Sequence, residues 1–270
     1  MKFVGHTMAL PGVDIVNAIK VFSGMKLDGI EIVAQEGTPF HLGLPDQGIF
    51  EIIEASNRYN LPVITLTPYL WNINSADHSE RKNNIDGLIR TIHLAEKMGA
   101  QYVRAYGGTD SAAGTEEDKF ARAVDALKTA GKEAEQANIT IVIENHPGTM
   151  TRTGLQTARM VEEVNMASVK ALYDPCNVLY DTKEDWLTTL TSQTGKIGYI
   201  HCKDYKIING ERVACVVGEG IVPWREILAH LDKKDYYLSF EYEKRWYPDQ
   251  LEDAETGLPR CLDYIRRVIK

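Results

Sequence analysis

Short apolar runs recur along this chain at nearly even spacing, and most of them stop at a polar residue. Residues 3–6, 28–33, 61–67, 101–106, 139–143, 169–173, 197–200 and 236–240 are four to seven residues long and rich in β-branched and aromatic side chains. Runs of that length and composition read as strands buried on both faces. Between them lie stretches of helical periodicity: 14–24, a segment ending near 57, then 79–98, 116–137, 153–164, 185–190, 223–231 and 251–268. In the third of these, Leu88, Ile92, Leu94 and Ala95 fall on one face, and Gly99 offers a C-terminal cap. The helix from Glu116 begins with acidic residues, as the helix dipole favours, and that from Pro223 has proline in its first turn.

Eight strands alternating with eight helices, about 34 residues per unit in 270, predict a parallel sheet with right-handed crossovers. Eight such units in roughly 250 residues match a closed (β/α)8 TIM barrel of the α/β class. An open, doubly wound sheet is the alternative. No Gly-x-Gly-x-x-Gly follows the first strand, which counts against dinucleotide binding. No long linker divides the chain, so residues 1–270 are expected to form a single domain. The pattern breaks at 205–217, where Asn209-Gly210 between two apolar runs predicts a β-hairpin inserted after strand seven.

Composition changes this picture little: 44% hydrophobic and 25% charged residues are ordinary for a globular protein. The net charge of −8 disfavours a nucleic-acid groove, which needs clustered Lys and Arg. Cys176, Cys202, Cys215 and Cys261 form no C-x-x-C pair and read as reduced structural thiols. No apolar run approaches the roughly 20 residues that span a bilayer. Met1–His6 has no signal-peptide apolar stretch and starts directly as a strand, so a cytoplasmic location is expected.

Barrel enzymes carry their chemistry at the C-terminal ends of the strands. Read in order, the later strands end at Glu144, Asp174, His201 and Glu241, separated by 30, 27 and 40 residues, the hairpin lengthening the last interval. One polar residue at a strand end is usually a cap or a solvated position. Four ligand-type residues ending four successive strands are far harder to obtain by accident. Three carboxylates gathered on one rim repel, and a bound cation resolves that repulsion. The oxygen-rich set suits one divalent ion, with Mn²⁺ first and Mg²⁺, Co²⁺ or Zn²⁺ as alternatives.

The segments Ile143-Glu144-Asn145-His146-Pro147-Gly148, Tyr173-Asp174-Pro175-Cys176-Asn177, Ile200-His201-Cys202-Lys203-Asp204, Gly218-Glu219-Gly220 and Ser239-Phe240-Glu241-Tyr242-Glu243 make the resemblance specific. With Asp28-Gly29-Ile30-Glu31 and Val103-Arg104-Ala105-Tyr106-Gly107-Gly108, they resemble the xylose isomerase-like TIM-barrel superfamily over essentially the whole chain. That group holds sugar isomerases, sugar phosphate epimerases, inosose and dehydroshikimate dehydratases, and endonuclease IV. The resemblance implies metal ligands at Glu144, Asp174, His201 and Glu241, with Glu243 as the rival of Glu241. It also implies that Glu144 and Glu241 double as the catalytic acid/base pair. His146, Arg104 and Lys203 would then touch substrate, joined by Asn177 and Glu31, the latter also a candidate for orienting the ligands.

Two departures from the superfamily pattern matter. Where many relatives have a second histidine after the strand-six aspartate, this chain has Asn177, which can bond a hydroxyl but cannot shuttle a proton. Strands three and four end in Thr67-Pro68 and Arg104-Ala105, without the histidines of endonuclease IV. With the net charge, this argues against DNA repair.

The expected activity is a metal-dependent sugar isomerase or epimerase. It would abstract a proton alpha to a carbonyl of a small keto-sugar or derivative, through a metal-stabilised enediolate. One alternative is a metal-dependent dehydratase, a lyase of the inosose or 3-dehydroshikimate type, which Glu144-x-His146-Pro147-x-Thr149-x-Thr151-x-Thr153 also resembles. Another is a sugar-binding barrel without turnover. The partner is a small sugar or polyol, with no nucleic acid and no membrane, and the resemblance allows a homo-oligomer. Tyr69, Trp71 and Trp246 are candidate sugar platforms, and His6 and His41 are weaker site candidates.

Overall fold

The computed structural model describes residues 1–231 and 235–269. The expected strands form β1 (Lys2–His6), β2 (Gly29–Ala34), β3 (Val63–Pro68), β4 (Tyr102–Tyr106), β5 (Thr140–Glu144), β6 (Val169–Tyr173) and β7 (Ile197–Cys202). A hairpin, β8 (Asp204–Ile208) and β9 (Glu211–Cys215), precedes the last strand, β10 (Tyr237–Phe240). The eight barrel strands pair in the order β1-β10-β7-β6-β5-β4-β3-β2, and β1 closes the ring by pairing in parallel with both β2 and β10.

The helices are α1 (Ile15–Gly24), α2 (Asp46–Tyr59), α3 (His78–Lys97), α4 (Glu116–Gln136), α5 (Gly154–Val164), α6 (Pro175–Asp181), α7 (Trp186–Ser192), α8 (Trp224–His230) and α9 (Ala254–Val268). Their ends follow from local chemistry. The Asp14 carboxylate accepts from Asn17 N at 2.9 Å, and Thr115 with Asp118 and Thr153 with Gln156 form reciprocal capping boxes. Gly99 follows α3 at φ 70°, the left-handed conformation that a helix C-terminus favours. Among the described residues, no helix is long and apolar enough to cross a membrane.

The helix α6 lies where the sequence suggested only a stop. Asp174-Pro175 reads as a break, yet proline is well tolerated at the first helical position, where its missing N–H has no intrahelical partner to lose. Asp174 caps this helix, its Oδ1 accepting from Asn177 N at 2.9 Å.

Strand alternation divides the interior in two. Residues facing outward, such as Ile30, Ile141, Ile200 and Leu238, pack against the helices in the main core. Val4, Ile64, Val142, Leu172, Tyr199 and Tyr237 form a separate apolar plug inside the barrel. Fully burying a Val or Leu side chain contributes about 1.5–3 kcal/mol, so this plug fixes the barrel from within. Two residues further along three of those strands come Glu144, Asp174 and His201, on the same inward side. The plug is thus the floor on which a polar layer stands.

The predicted hairpin is present. Asn209 and Gly210 both have positive φ, 52° and 82°, as a two-residue turn of the mirror-image type requires. Its base is pinned by Asp204, whose carboxylate accepts from the backbone N–H groups of Tyr205, Gly218, Gly220 and Val222 at 2.9–3.2 Å. The four cysteines are buried and free.

Candidate metal centre

Glu144, Asp174, His201 and Glu241 converge above the plug, all four buried. One ligand atom from each lies within 4.8 Å of the others. His201 is the hub. Its Nδ1 is 3.4 Å from Glu144 Oε1 and 3.5 Å from Glu241 Oε2, while Nε2 is 3.0 Å from Glu31 Oε1. Nε2–H donates to Glu31. Although burial lowers the His201 pKa, the charges of Glu241 and Glu31 raise it well above the ordinary value. Without a cation, Nδ1 therefore carries a proton between the two carboxylates, the proton that a bound ion would replace.

Glu31 stands beneath His201, with no exposed surface. Besides His201, it accepts from the Thr67 hydroxyl and, through Oε2, from Tyr199 OH at 3.0 Å. His6 Nε2 lies 3.5 Å from Glu31 Oε1, its Nδ1 accepting from Met8 N at 3.1 Å. The sequence offers Glu31 both as a substrate contact and as a residue that orients the ligands; its carboxylate is engaged inside the barrel by His201, Thr67 and Tyr199. His6, a weak candidate from sequence, belongs to the same buried support. Nothing local in the sequence marked Thr67 or Tyr199 as partners of Glu31. Tyr199 does carry one signal, its position two residues before His201 on the same face.

Asparagines brace the other side. Asn145 Nδ2 donates to Asp174 O at 2.6 Å, and its Oδ1 accepts from Asp174 N at 3.0 Å. Asn177 Nδ2 donates to Glu144 Oε1 at 3.1 Å, so this residue grips a carboxylate of the cluster. Asn145 escaped the sequence reading although it sits between Glu144 and His146, because its strand position faces away from them.

Lys203 closes the cluster. Its ammonium is 2.5 Å from Glu241 Oε2, 3.1 Å from Asp174 Oδ2 and 3.6 Å from Glu243 Oε1. Glu241, not its rival Glu243, joins the four-residue group. Arg104 is also buried, its Nε 3.6 Å from Glu144 Oε2 and its guanidinium 3.8 Å from the Tyr106 ring centroid. The half-buried His146 ring packs against Tyr106 and Trp71, with centroids 4.9 and 5.3 Å away. Trp71 stacks on Tyr106 at 4.0 Å, which occupies one face expected to receive a sugar, whereas Trp246 is exposed.

Burial raises every carboxyl here, and the neighbours decide the outcome. For Glu144, the His201 contact and the charges of His146 and His201 overcome burial and hold it at about 2. Lys203 and His201 likewise hold Glu241 well below the usual range against its burial. Burial prevails at Asp174, pushing it to about 6, and at Glu243, pushing it to about 7.

Among the described residues, Asp174 Oδ2 has only the 3.1 Å ion pair with Lys203 and His201 Nδ1 only the 3.4 and 3.5 Å contacts with Glu144 and Glu241, none of them a well-formed hydrogen bond. Both belong to the converging set, so the residues fit a cation that would engage them, and three oxygens with one nitrogen suit a divalent metal. Beside the cluster opens a cavity of about 290 Å³, lined in part by His146, Asn177, Lys203, Glu243 and Tyr205.

A fold and site of this kind define a class. The chain belongs to the xylose isomerase-like TIM barrel family, whose model matches residues 20–268. It is 26% identical over 165 residues to an inosose dehydratase of Geobacillus thermodenitrificans, a match spanning 56% of this chain and 55% of that protein. A probable endonuclease 4 of Persephonella marina is 24% identical over 226 residues, 77% of this chain and 76% of its own length. Among solved structures, the 3-keto-D-glucoside 4-epimerase YcjR of E. coli superimposes with a TM-score of 0.80 at 17% identity, over 99% of each chain.

Proposed function

We propose that this protein is a divalent-metal-dependent isomerase or epimerase of a small keto-sugar or a close derivative, with Glu144 and Glu241 as the proton-transferring pair. The observation that carries this reading is the convergence of two ionised glutamates with Asp174 and His201, ligand atoms within 4.8 Å, beside a cavity of sugar size. Glu144, Asp174, His201 and Glu241 would hold the ion. A divalent ion bound there supplies Lewis-acid polarisation of a carbonyl and the neighbouring hydroxyl, which acidifies the C–H between them.

The protein's own residues do the rest. Both glutamates are ionised at neutral pH, the form a base needs. One takes the proton from the carbon alpha to the carbonyl. The other delivers a proton to the opposite face, giving an epimer, or to the neighbouring carbon, giving an isomer. Lys203, touching Glu241 Oε2 at 2.5 Å, keeps its own proton and holds Glu241 ionised, so the glutamate that returns a proton would first take it from solvent in the cavity. Asn177 keeps Glu144 in position, and His146, Asn177 and Lys203 contact substrate hydroxyls from the cavity wall. Arg104, with Nε and Nη1 free of acceptors beside Glu144, binds a substrate oxygen.

A second reading shares the first step. If a β-hydroxyl then leaves, the enzyme is a dehydratase, with His146 or Lys203 as the acid. The inosose dehydratase relative favours this branch. Incubating the metal-loaded protein with a panel of keto-sugars and inososes in D₂O, with and without chelator, separates the two. Metal-dependent C–H exchange giving a product of equal mass supports the isomerase. Water loss with new ultraviolet absorbance supports the lyase. No exchange on any compound, with metal bound, sinks both.

A further inference from the structure

The cavity beside the cluster has a second wall, built by the hairpin insertion and α6. It carries Arg212 of β9, Tyr180 of α6, Tyr205 of β8, and Tyr247. The charges facing this space are unequally committed. Lys203 is surrounded by Asp174, Glu241 and Glu243. Asp204 is engaged by four backbone N–H groups, and Glu243 lies against Lys203. Arg212 differs. Among the described residues its guanidinium has no carboxylate and no hydrogen-bond acceptor, and it is held by rings alone. It lies 3.6 Å from the Tyr180 centroid and 5.8 Å from that of Tyr205.

Those rings are themselves fixed. Tyr205 OH donates to Leu179 O at 2.8 Å, and Tyr180 meets Tyr205 edge-on at 5.9 Å. Stacking of this kind restrains the guanidinium plane while leaving its N–H edges free. The result is an oriented cation with an open fork of donors on a cavity wall that has no free carboxylate to answer it. A guanidinium fork matches an oxyanion with two parallel hydrogen bonds. In a chain of net charge −8, long-range attraction does not bring anions here, so recognition has to be local.

We propose that Arg212 determines specificity by binding an oxyanion, a phosphate ester or a carboxylate, carried by the substrate on the end away from Glu144, Asp174, His201 and Glu241. This rests on the reading of the cavity as the substrate site. The hairpin is then the element through which the barrel selects acidic sugars over neutral ones.

The test is calorimetric titration of the metal-loaded, full-length protein with three matched ketoses: D-fructose, D-fructose 6-phosphate and D-fructuronate. At least one acidic ketose binds tenfold or more tightly than fructose, and which one it is separates phosphate from carboxylate recognition. In Arg212→Gln that preference falls below threefold while fructose affinity is unchanged, and Arg212→Lys keeps an intermediate preference. Arg212 is on the surface of the hairpin, so unaltered circular dichroism and fructose binding confirm a folded variant. Equal affinity for all three ketoses, no measurable binding of either acidic one, or a preference that survives Arg212→Gln overturns the proposal. The last result would assign the anion to Lys203 or to the metal. Because binding is read without turnover, a protein that catalyses no C–H exchange can still pass this test, and an active one can fail it.

Discussion

The two halves of the barrel contribute to one site in different ways. The later strands, β5, β6, β7 and β10, present the converging side chains from their C-terminal ends: Glu144, Asp174, His201 and Glu241. The earlier strands, β1 to β3, present none of these. They supply His6, Glu31 and Thr67, a buried layer that grips His201 from below. The converging half is held at the rim beside a cavity, and the supporting half is enclosed. The division follows from electrostatics. Atoms that are to hold a cation need a free lone pair, so the rest of each group needs fixed partners. The earlier strands supply them to His201, while Asn177, Asn145 and Lys203 of the later half supply them to Glu144, Asp174 and Glu241.

The sharpest way to break this contrast is to neutralise the ligand half. Glu144→Gln or Glu241→Gln is expected to lower the rate of metal-dependent C–H exchange by about 10²–10⁴, followed by proton NMR in D₂O. Retained ligand binding with no rate to lose would instead mark a binding barrel without turnover.

The floor beneath both halves gives the next largest effect. Leu172→Ala in the apolar plug is expected to cost about 2–5 kcal/mol of stability, read by urea denaturation, with metal affinity per folded molecule unchanged. A large loss of metal affinity would mean that plug and site are not separable layers.

The supporting half is tested by Glu31→Gln. Removing the carboxylate behind the histidine is expected to weaken metal binding about 10–100-fold, measured by competition with a chromogenic chelator. Glu243→Gln, two residues beyond a ligand but outside the cluster, is expected to leave that affinity within about threefold, as ordinary for a group not holding the metal. Equal losses from both variants would erase the distinction drawn here.

The smallest effect is on pH dependence. Burial raises Glu243 from its ordinary 4.5 to about 7, against the pull of Lys203. A raised carboxyl pKa means that the folded state holds the proton more tightly than the unfolded state. Its contribution is fully present below about 4.5 and is lost as pH rises through about 7. The metal-free wild type should therefore gain melting temperature relative to Glu243→Gln as pH falls from 7.5 to 5. Glu144, held at about 2, works in the opposite direction only below its ordinary 4.5, outside that window. Parallel melting curves across this range would show that Glu243 does not titrate as described.

Much of the fold and the site was legible in the chain because the signals are local. The alternation of inward and outward residues on a strand makes Glu144, Asp174 and His201 continue the inner side begun by Val142, Leu172 and Tyr199. The hairpin was legible from Asn209-Gly210, since both residues tolerate positive φ. The contacts of the supports were not. Glu31 lies 170 residues from His201 and 168 from Tyr199, and its neighbours in sequence read as an ordinary buried strand. Asn177 was read as a substrate contact without a titratable ring, and nothing local in the sequence showed that its amide holds Glu144. The missed helix α6 shows how Asp-Pro, read as a stop, can equally cap and begin a helix.

The sequence by itself determined the barrel, the rim on which chemistry can occur and the four side chains that meet there, because strand period and strand ends are properties of short segments. Only the tertiary structure decided which nitrogen of His201 faces the cluster, that Thr67, Tyr199 and His6 share the Glu31 carboxylate beneath it, and that among the described residues Arg212 is left without a carboxylate or acceptor. Each of those depends on which distant groups share a few ångströms of space of low dielectric, where an unpaired charge or lone pair is costly and its nearest neighbour sets its role.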